Sequence, residues 1–337
     1  MMKIILNTVG AYLSKKDDRF QVKVNDEKSE YSCKKVEQIL VSTSVLITTD
    51  ALQLAVENNI DVVFLQYNGQ PFGRVWHSKL GSISTIRRKQ LKLIDMPLGT
   101  KFVKEWITEK INNQILHLKK LESNRSDEKI KILEDSIEKI KLQLDNISKV
   151  KEVPIKNVRN TIEGYEGTAG RIYFSTLGKV IPEKYAFGGR SKNPAEDMFN
   201  CMLNYAYGIL YSNVEKACII AGLDPYIGIM HTDNYNKTAL VFDLIELYRG
   251  YMDEIVFKLF SKRQVKIEMF DQVEGGLWLN KEGKVLLIGA VNEKFADKIK
   301  YKGRNIELGN IIQYDCHSIA NKILEEVEST DVSMGCI

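Results

Sequence analysis

Cysteine and histidine are scarce in this chain of 337 residues, which has five of the former and four of the latter. The cysteines lie far apart and form no CxxC pair, which argues against a zinc knuckle and a disulfide framework. The amino-terminal MMKIILNTVG lacks the apolar core of a signal peptide, and no run approaches the roughly 18 apolar residues of a membrane span. We therefore expect a cytoplasmic protein that does not enter a membrane.

Neither sign of charge dominates, and the formal net charge is only +4. This value permits nucleic acid as a partner without demanding it, because the distribution of charge decides binding more than the total. The hydrophobic share of 44% and the charged share of 27% are ordinary for a soluble globular protein. A chain of this length is too long for one simple core, and we expect two domains.

Short β-branched runs fill the first 80 residues, and one helix starting at Thr49 or Asp50 interrupts them. The predicted strands are Lys3–Leu6, Phe20–Val24, Glu30–Cys33, Gln38–Val41, Val62–Gln66 and Phe72–Trp76. Farther along, the apolar spacing becomes helical. The predicted class is therefore α+β, with a small β-rich domain at 1–80, a linker at 81–84, a larger all-helical domain at 85–328 and a flexible tail at 329–337.

Polar or proline-containing breaks divide the helical part into segments. We expect them at about 83–121 with a break at 97–99, then at 127–148, 161–177, 197–221, 238–260, 283–295 and 309–327. Apolar residues of the segment at 127–148 alternate three and four apart, like a short coiled-coil seam. Its lysines fit a solvated surface.

His231 differs from the other histidines in its setting. It follows the apolar stretch Tyr226–Met230, stands at the start of a polar loop and precedes a helix that carries Asp243 and Glu246. These carboxylates are three residues apart within an apolar run, where a charge is costly unless something neutralises it. A bound cation and the nearby Arg249 are equally good partners on this pattern alone. The other histidines fit surface or core positions better: His77, His117 and His317.

A further acidic centre is Glu166, which small residues follow within a helical segment: Gly167, Ala169 and Gly170. Each glycine costs a helix about 1 kcal/mol relative to alanine, which makes sense where another helix or a ligand comes close. Taken alone, the pattern favours tight helix packing with Glu166 exposed. A set of carboxylate and imidazole ligands without thiolate suits Mg²⁺ or Mn²⁺ and not structural zinc.

Three ordered motifs resemble those of a known family. EGTAGRIYF, from Glu166 to Phe174, resembles the element EGxAAxxYF. The segment from Phe187 to Tyr207, with FGGR, NP and NCMLNYAY, resembles FxxRxxxPPxDxxNAxLNYxY. GLDPYIG from Gly222, His231 and then LVFDLIELYR resemble GLDPxxGxxH…SLxxDLxExFR. On these motifs the chain is identified as a member of the CRISPR-associated endonuclease, member one, family of spacer-acquisition integrases.

The chain departs from these motifs at a few positions, none of them a proposed ligand. Gly170 stands for an alanine, Ala195 for the second proline, and Thr238–Ala239 for the usual serine.

The resemblance implies an amino-terminal β domain that dimerises and a helical domain that carries a metal. Glu166, His231 and Glu246 are then the catalytic metal ligands, with Asp243 assisting and Asp233 a weaker substitute. Substrate positioning or support falls to other motif positions: Tyr173, Arg190 and Asn204. Basic residues around the site are candidates for contacts with DNA phosphates: Arg159, Arg171, Arg190, Lys237, Arg249, Lys258, Lys262 and Arg263.

The implied reaction is phosphoryl transfer on double-stranded DNA, with Mg²⁺ or Mn²⁺ as cofactor. The 3′-hydroxyl of an incoming prespacer attacks a phosphodiester of the CRISPR repeat, and hydrolysis is the related nuclease activity. One phosphodiester replaces another, and accordingly no GxxxxGK[ST] phosphate loop is present. Two integration points imply a homodimer or a larger assembly, together with a small ferredoxin-like acquisition protein.

Two other functions compete with this one. A transposon-type integrase of the same fold often carries an added helix-turn-helix domain, for which we expect no room after Val327. A DNA-binding scaffold with a degenerate site would do no chemistry, and intact Glu166, His231 and Glu246 argue against it.

Overall fold

A computed structural model describes residues 2–58, 60–67, 69, 71–75, 84–123, 125–191, 194–231, 237–301 and 303–333, with side chains up to 325. Within these ranges a β-rich amino-terminal unit precedes a larger, mainly helical unit, which confirms the predicted α+β class. Of the predicted linker 81–84, only Ser84 falls within the described residues. The domain boundary there stays a prediction. His77 and Asp233 also lie outside the described ranges.

The described part of the amino-terminal unit contains two sheets and a helix. Its elements are β1 (Met2–Leu6), β2 (Tyr12–Lys16), β3 (Arg19–Val24), β4 (Glu27–Ser32), β5 (Val36–Val41), β6 (Leu46–Ile47), α1 (Thr49–Glu57), β7 (Asp61–Leu65) and β8 (Pro71–Val75). One sheet has the order β1-β5-β7-β8, parallel except for β8, and the other has the order β4-β3-β2-β6. The patterns of β2 and β6 were too short to predict, since Leu13 is the only buried residue of β2.

Side-chain alternation explains how the first sheet is buried on both faces. Ile39 and Val62 pack with Phe20 of the second sheet in one hydrophobic cluster. Their chain neighbours Leu40 and Val63 lie in a separate cluster, because successive side chains of a strand point to opposite faces. The sheet is thus an inner layer between the second sheet and the helical unit.

The helical unit has a hydrophobic core of its own. Its helices are α2 (Ser84–Lys92), α3 (Pro97–Glu122), α4 (Asp127–Ser148), α5 (Arg159–Val180), α6 (Met198–Ile220), α7 (Ala239–Ile245), α8 (Arg249–Ser261), α9 (Lys281–Ala296) and α10 (Leu308–Ser333). Two antiparallel hairpins accompany them, formed by β9 (Phe270–Val273) with β10 (Gly276–Leu279), and by β11 (Lys298–Tyr301) with β12 (Arg304–Glu307).

Two details of the prediction were wrong. The second unit is not all-helical, because strands of four residues carry too little alternation to be recognised. The segment 238–260 is two helices separated at 246–248, where Leu247 and Tyr248 donate to carbonyls three residues back instead of four. The helix α10 continues to Ser333, and the flexibility of the tail at 329–337 stays a prediction.

The two units meet along α6. Arg74 of β8 contacts the carboxylates of Asp61 at 3.2 Å and Glu215 at 3.0 Å, and donates to the Ser212 carbonyl at 2.9 Å. Gly69, with φ +84°, lies so close to the Tyr205 backbone that a Cβ would be 2.9 Å from its oxygen. These contacts fix the β-rich unit against the helix.

Within the described residues, no helix combines the length and the apolar character needed to cross a bilayer. The cytoplasmic location stays a prediction.

Candidate active site

The Asp243 carboxylate organises the turn that carries His231. Asp243 Oδ2 accepts the backbone N–H groups of Ile229 at 2.6 Å and Met230 at 3.1 Å. Asp243 Oδ1 accepts the N–H of His231 at 3.0 Å and lies 2.6 Å from its Nδ1. The Asp243 side chain is fully buried, whereas that of His231 is 30% exposed. The aspartate therefore fixes both the backbone and the ring of the histidine.

This arrangement determines which nitrogen of His231 remains available. With Nδ1–H donating to Asp243, Nε2 keeps its lone pair and can bind a cation. Asp243 itself already takes part in four hydrogen bonds. Its place in this geometry is thus behind the histidine, and its assistance as a metal ligand stays a prediction.

Local packing holds this turn in place against α7. The Gln90 amide donates to the carbonyls of Asp224 and Ile227, both at 2.8 Å, and accepts the Asp224 N–H at 3.0 Å. At Gly228 a Cβ would lie 2.6 Å from the Ala239 Cβ and 2.7 Å from the His231 carbonyl. Glycine is therefore required where the turn crosses the start of the helix.

Glu246, at the end of α7, is buried between two cations. Its Oε1 lies 3.1 Å from Arg249 and its Oε2 lies 2.6 Å from the Lys110 ammonium of α3. Burial raises the pKa of Glu246, but the positive charges of Arg249 and Lys110, with a smaller contribution from His231, outweigh burial and lower it overall. Glu246 is therefore ionised near neutral pH.

Glu166, from α5, converges on the same ammonium. Its Oε1 contacts Lys110 Nζ, so both glutamates share one cation. Neighbouring Gly167 and Gly170 face open space, because a Cβ atom added at either position would have no neighbour within 4 Å among the described residues. The sequence suggested that either another helix or a ligand comes close to these glycines. Within the described part of the chain, no other helix does so. The face next to Glu166 is open to a ligand.

A divalent cation fits the donor chemistry of this site. Two carboxylates, Glu166 and Glu246, already converge on a positive charge, and the turn presents a histidine nitrogen. Among the described residues, the buried Glu246 Oε2 is paired with the Lys110 ammonium at 2.6 Å. Across those same ranges, however, no three potential ligands stand close enough together to hold an ion. Lys110 occupies the place between the glutamates.

Arg190 and Arg249 lie on the ring of Tyr207. Their guanidinium carbons are 5.2 and 4.9 Å from its centroid. Arg190 also donates to the side-chain oxygens of Asn200 at 2.9 Å and Asn204 at 2.7 Å. Arg190 and Asn204 thus support each other beside the site, and Arg190 remains partly exposed for a substrate.

Tyr173 is a supporting residue and not a direct substrate contact. It is fully buried, and its hydroxyl lies 2.6 Å from His117 Nδ1. Tyr173 also hydrogen-bonds Asp253, which accepts the Tyr207 hydroxyl at 2.6 Å. His117 is a core histidine, as expected, while His317 is exposed.

The predicted DNA contacts divide into engaged and free side chains. Arg249 is engaged by Glu246 and by the Tyr211 hydroxyl at 3.0 Å, and Arg159 donates to the Ile229 carbonyl at 3.1 Å. Both take part in the packing of the site, and their contact with DNA stays a prediction. Lys237 lies 5.0 Å from the Phe242 ring, which neighbours His231. The remaining candidates are exposed: Arg171, Lys258, Lys262 and Arg263.

Lys110 is the main residue that the sequence prediction missed. Lys110 follows Ile107 by three residues and Trp106 by four, so all three lie on the same buried face of α3. A lysine at a core position of an amphipathic helix is the signal that would have found it. Its partners are far away in the sequence, so the pattern alone could not name them.

Solved structures share this architecture. A casposase bound to integration product has a TM-score of 0.82 and 22% identity, with 97% of this chain and 91% of that chain covered. A chain of a Cas6-RT-Cas1–Cas2 complex has a TM-score of 0.78 and 21% identity. The match covers 96% of this chain and 35% of that chain. The fold is thus that of the Cas1-type proteins.

Sequence comparison identifies the family. The family model for CRISPR associated protein Cas1 matches residues 4–293. The CRISPR-associated endonuclease Cas1 1 of Archaeoglobus fulgidus is 33% identical over 322 residues, which are 92% of this chain and 93% of that protein. The chain therefore belongs to the Cas1 family, which confirms the family identified from its motifs.

Proposed function

We propose that this protein is a divalent-metal-dependent DNA integrase and endonuclease that inserts new spacer DNA into a CRISPR array. The observation that carries the proposal is the convergence of Glu166 and Glu246, distant in sequence, on one buried positive charge beside a histidine oriented by Asp243. Family membership and the endonuclease name of the relative from Archaeoglobus support it.

Glu166, Glu246 and His231 would hold the ion, either Mg²⁺ or Mn²⁺. A divalent ion bound there would polarise the phosphate and stabilise charge on the attacking and leaving oxygens. Asp243 keeps His231 in the tautomer that offers Nε2. Arg249 balances the Glu246 charge from the other side.

The open face of α5 beside Glu166 gives a DNA backbone room to approach the site. Arg171 is exposed one residue beyond Gly170 on this helix, and Lys237 flanks the other side of the site next to Phe242. Side chains of this type bind phosphates and set the position of a duplex without reading its sequence. We assign Arg171, Lys237 and Arg190 to the substrate.

Partner proteins belong to the same proposal. The structurally similar complex contains Cas2 together with Cas1, and we infer a partner of that kind for this chain. Its ferredoxin-like fold and the homodimer of the present chain stay predictions.

The test is a joining reaction with the purified protein, a short DNA duplex, supercoiled plasmid and Mn²⁺ or Mg²⁺. We expect joined product that requires the metal and is lost in Glu166→Ala and in His231→Ala. Glu163→Ala is the matched control, because Glu163 is exposed on the same helix and should leave joining intact. Equal joining by Glu166→Ala and wild type would refute the site. Binding without any metal-dependent product would favour the scaffold.

A further inference from the structure

Lys110 is a buried ammonium at the centre of the proposed metal site. Its side chain is 9% exposed, and it contacts Glu166 and, at 2.6 Å, Glu246. An isolated charge at such a position is strongly destabilising, and the two carboxylates compensate it. Lys110 therefore belongs to the site as much as to the core of α3.

The charges in direct contact with Glu166 and Glu246 are balanced without a metal. Glu166 and Glu246 contribute two negative charges, and Lys110 and Arg249 contribute two positive charges within contact distance. A divalent cation added to this set would leave an excess of two positive charges in a buried place. Because like charges at such distances repel strongly, one monovalent cation has to leave.

Geometry identifies Lys110 as the group that leaves. Arg249 is held by the Tyr211 hydroxyl and by the Tyr207 ring in addition to Glu246. Lys110 instead stands between the two glutamates that would hold the ion. A lysine side chain is long and flexible, so its ammonium can move while α3 stays in place.

We propose that Lys110 is a built-in competitor of the divalent metal, which neutralises Glu166 and Glu246 in the metal-free enzyme and is displaced when the ion binds. This inference rests on the proposed function, since it concerns the same site. It makes Lys110 a positioning residue that keeps both carboxylates together before the metal arrives, at the cost of weaker metal affinity.

The experiment measures Mn²⁺ binding by titration calorimetry and thermal unfolding with and without Mn²⁺. Lys110→Met removes the charge, and Lys110→Gln removes it while keeping hydrogen-bond donors, which guards against loss of the fold. We expect both variants to bind Mn²⁺ about tenfold or more tightly than wild type, since an opposing charge is gone. Without metal, both variants should unfold at a lower temperature than wild type. Addition of Mn²⁺ should raise their unfolding temperature more than it raises that of wild type.

Lys120→Met is the matched control, because Lys120 lies on the same helix and pairs with Glu254 at an exposed position. It should bind Mn²⁺ like wild type. Unchanged or weaker Mn²⁺ affinity in both Lys110 variants would overturn the competition, provided that Glu166→Gln abolishes Mn²⁺ binding. If Glu166→Gln binds Mn²⁺ like wild type, the ion sits elsewhere, and the proposed function and this inference fail together.

Discussion

At the scale of single residues, the buried network beneath the site contains two groups with opposite responses to pH. Burial lowers the pKa of His117 from its ordinary 6.5 to about 4, and raises the pKa of Asp253 from 3.8 to about 6. Tyr173 connects them, since its hydroxyl contacts His117 and hydrogen-bonds Asp253. Both groups are thus neutral in the folded protein at pH 5, close to the active site.

His117→Gln tests this assignment. Between pH 4 and 6.5 the unfolded chain binds a proton at His117 that the folded chain does not, so this group makes the free energy of unfolding rise with pH. We expect the wild-type protein to gain stability relative to His117→Gln by up to roughly 3 kcal/mol across this window. Urea unfolding at several pH values measures the difference.

Asp253→Asn gives the control of opposite sign. Between about pH 4 and 6 the folded protein holds the proton at Asp253, so the wild type should lose stability relative to this variant as pH rises. A difference between wild type and His117→Gln that does not change with pH would contradict the buried neutral histidine.

At the scale of elements, glycines have two different uses. Gly228 allows the turn before His231 to cross the start of α7, with the Ala239 Cβ and the His231 carbonyl within 3 Å of a built Cβ. Gly167 stands inside α5 with nothing within 4 Å. The first glycine serves packing, and the second leaves a surface open.

Gly228→Ala and Gly167→Ala should therefore change stability in opposite directions. The methyl group at 228 forces the turn away from α7 and should cost about 1–3 kcal/mol, as overpacking does. At 167 alanine should add about 0.5–1 kcal/mol, because it favours the helix and meets no neighbour. The measurement is the free energy of urea unfolding. If Gly228→Ala changed the free energy of unfolding as Gly167→Ala does, the turn before His231 would not need glycine at position 228.

At the scale of the whole molecule, one arginine connects the units. Asp61, with no exposed side-chain surface, is paired with Arg74 of β8, which also contacts Glu215 of α6. Gln38 donates to the other oxygen of Asp61 at 3.0 Å. The β-rich unit thus rests on the helical unit through a buried charge cluster.

Arg74→Met should destabilise the protein by about 3–5 kcal/mol, because it leaves the buried Asp61 and the half-buried Glu215 without their cation. Lys16→Met breaks the exposed ion pair with Glu30 and should cost less than about 1 kcal/mol. Urea unfolding of both variants compares the two. A loss for Arg74→Met no larger than for Lys16→Met would show that the cluster does not hold the units together.

Much of the architecture is determined by local pattern. The bounds of α4 coincide with the predicted 127–148, because its apolar residues repeat along one face and Pro154 separates it from α5. Strands with β-branched runs, such as β5 and β7, were also predicted for that reason. The resemblance to the family motifs named Glu166, His231 and Glu246 as the expected ligands, and of these only the charge of Glu246 within an apolar run is visible from the local sequence.

The partners of these side chains were decided by tertiary structure alone. Lys110 reaches Glu166 across 56 positions of the chain, and no local pattern records such a pairing. The use of Asp243 as the support of His231 likewise depends on the path of the turn at 229–231. Local sequence thus determines which faces are buried and where charges stand among apolar residues. Packing of distant helices decides which charges meet, because the free energy of a buried ion depends on the groups brought into contact with it.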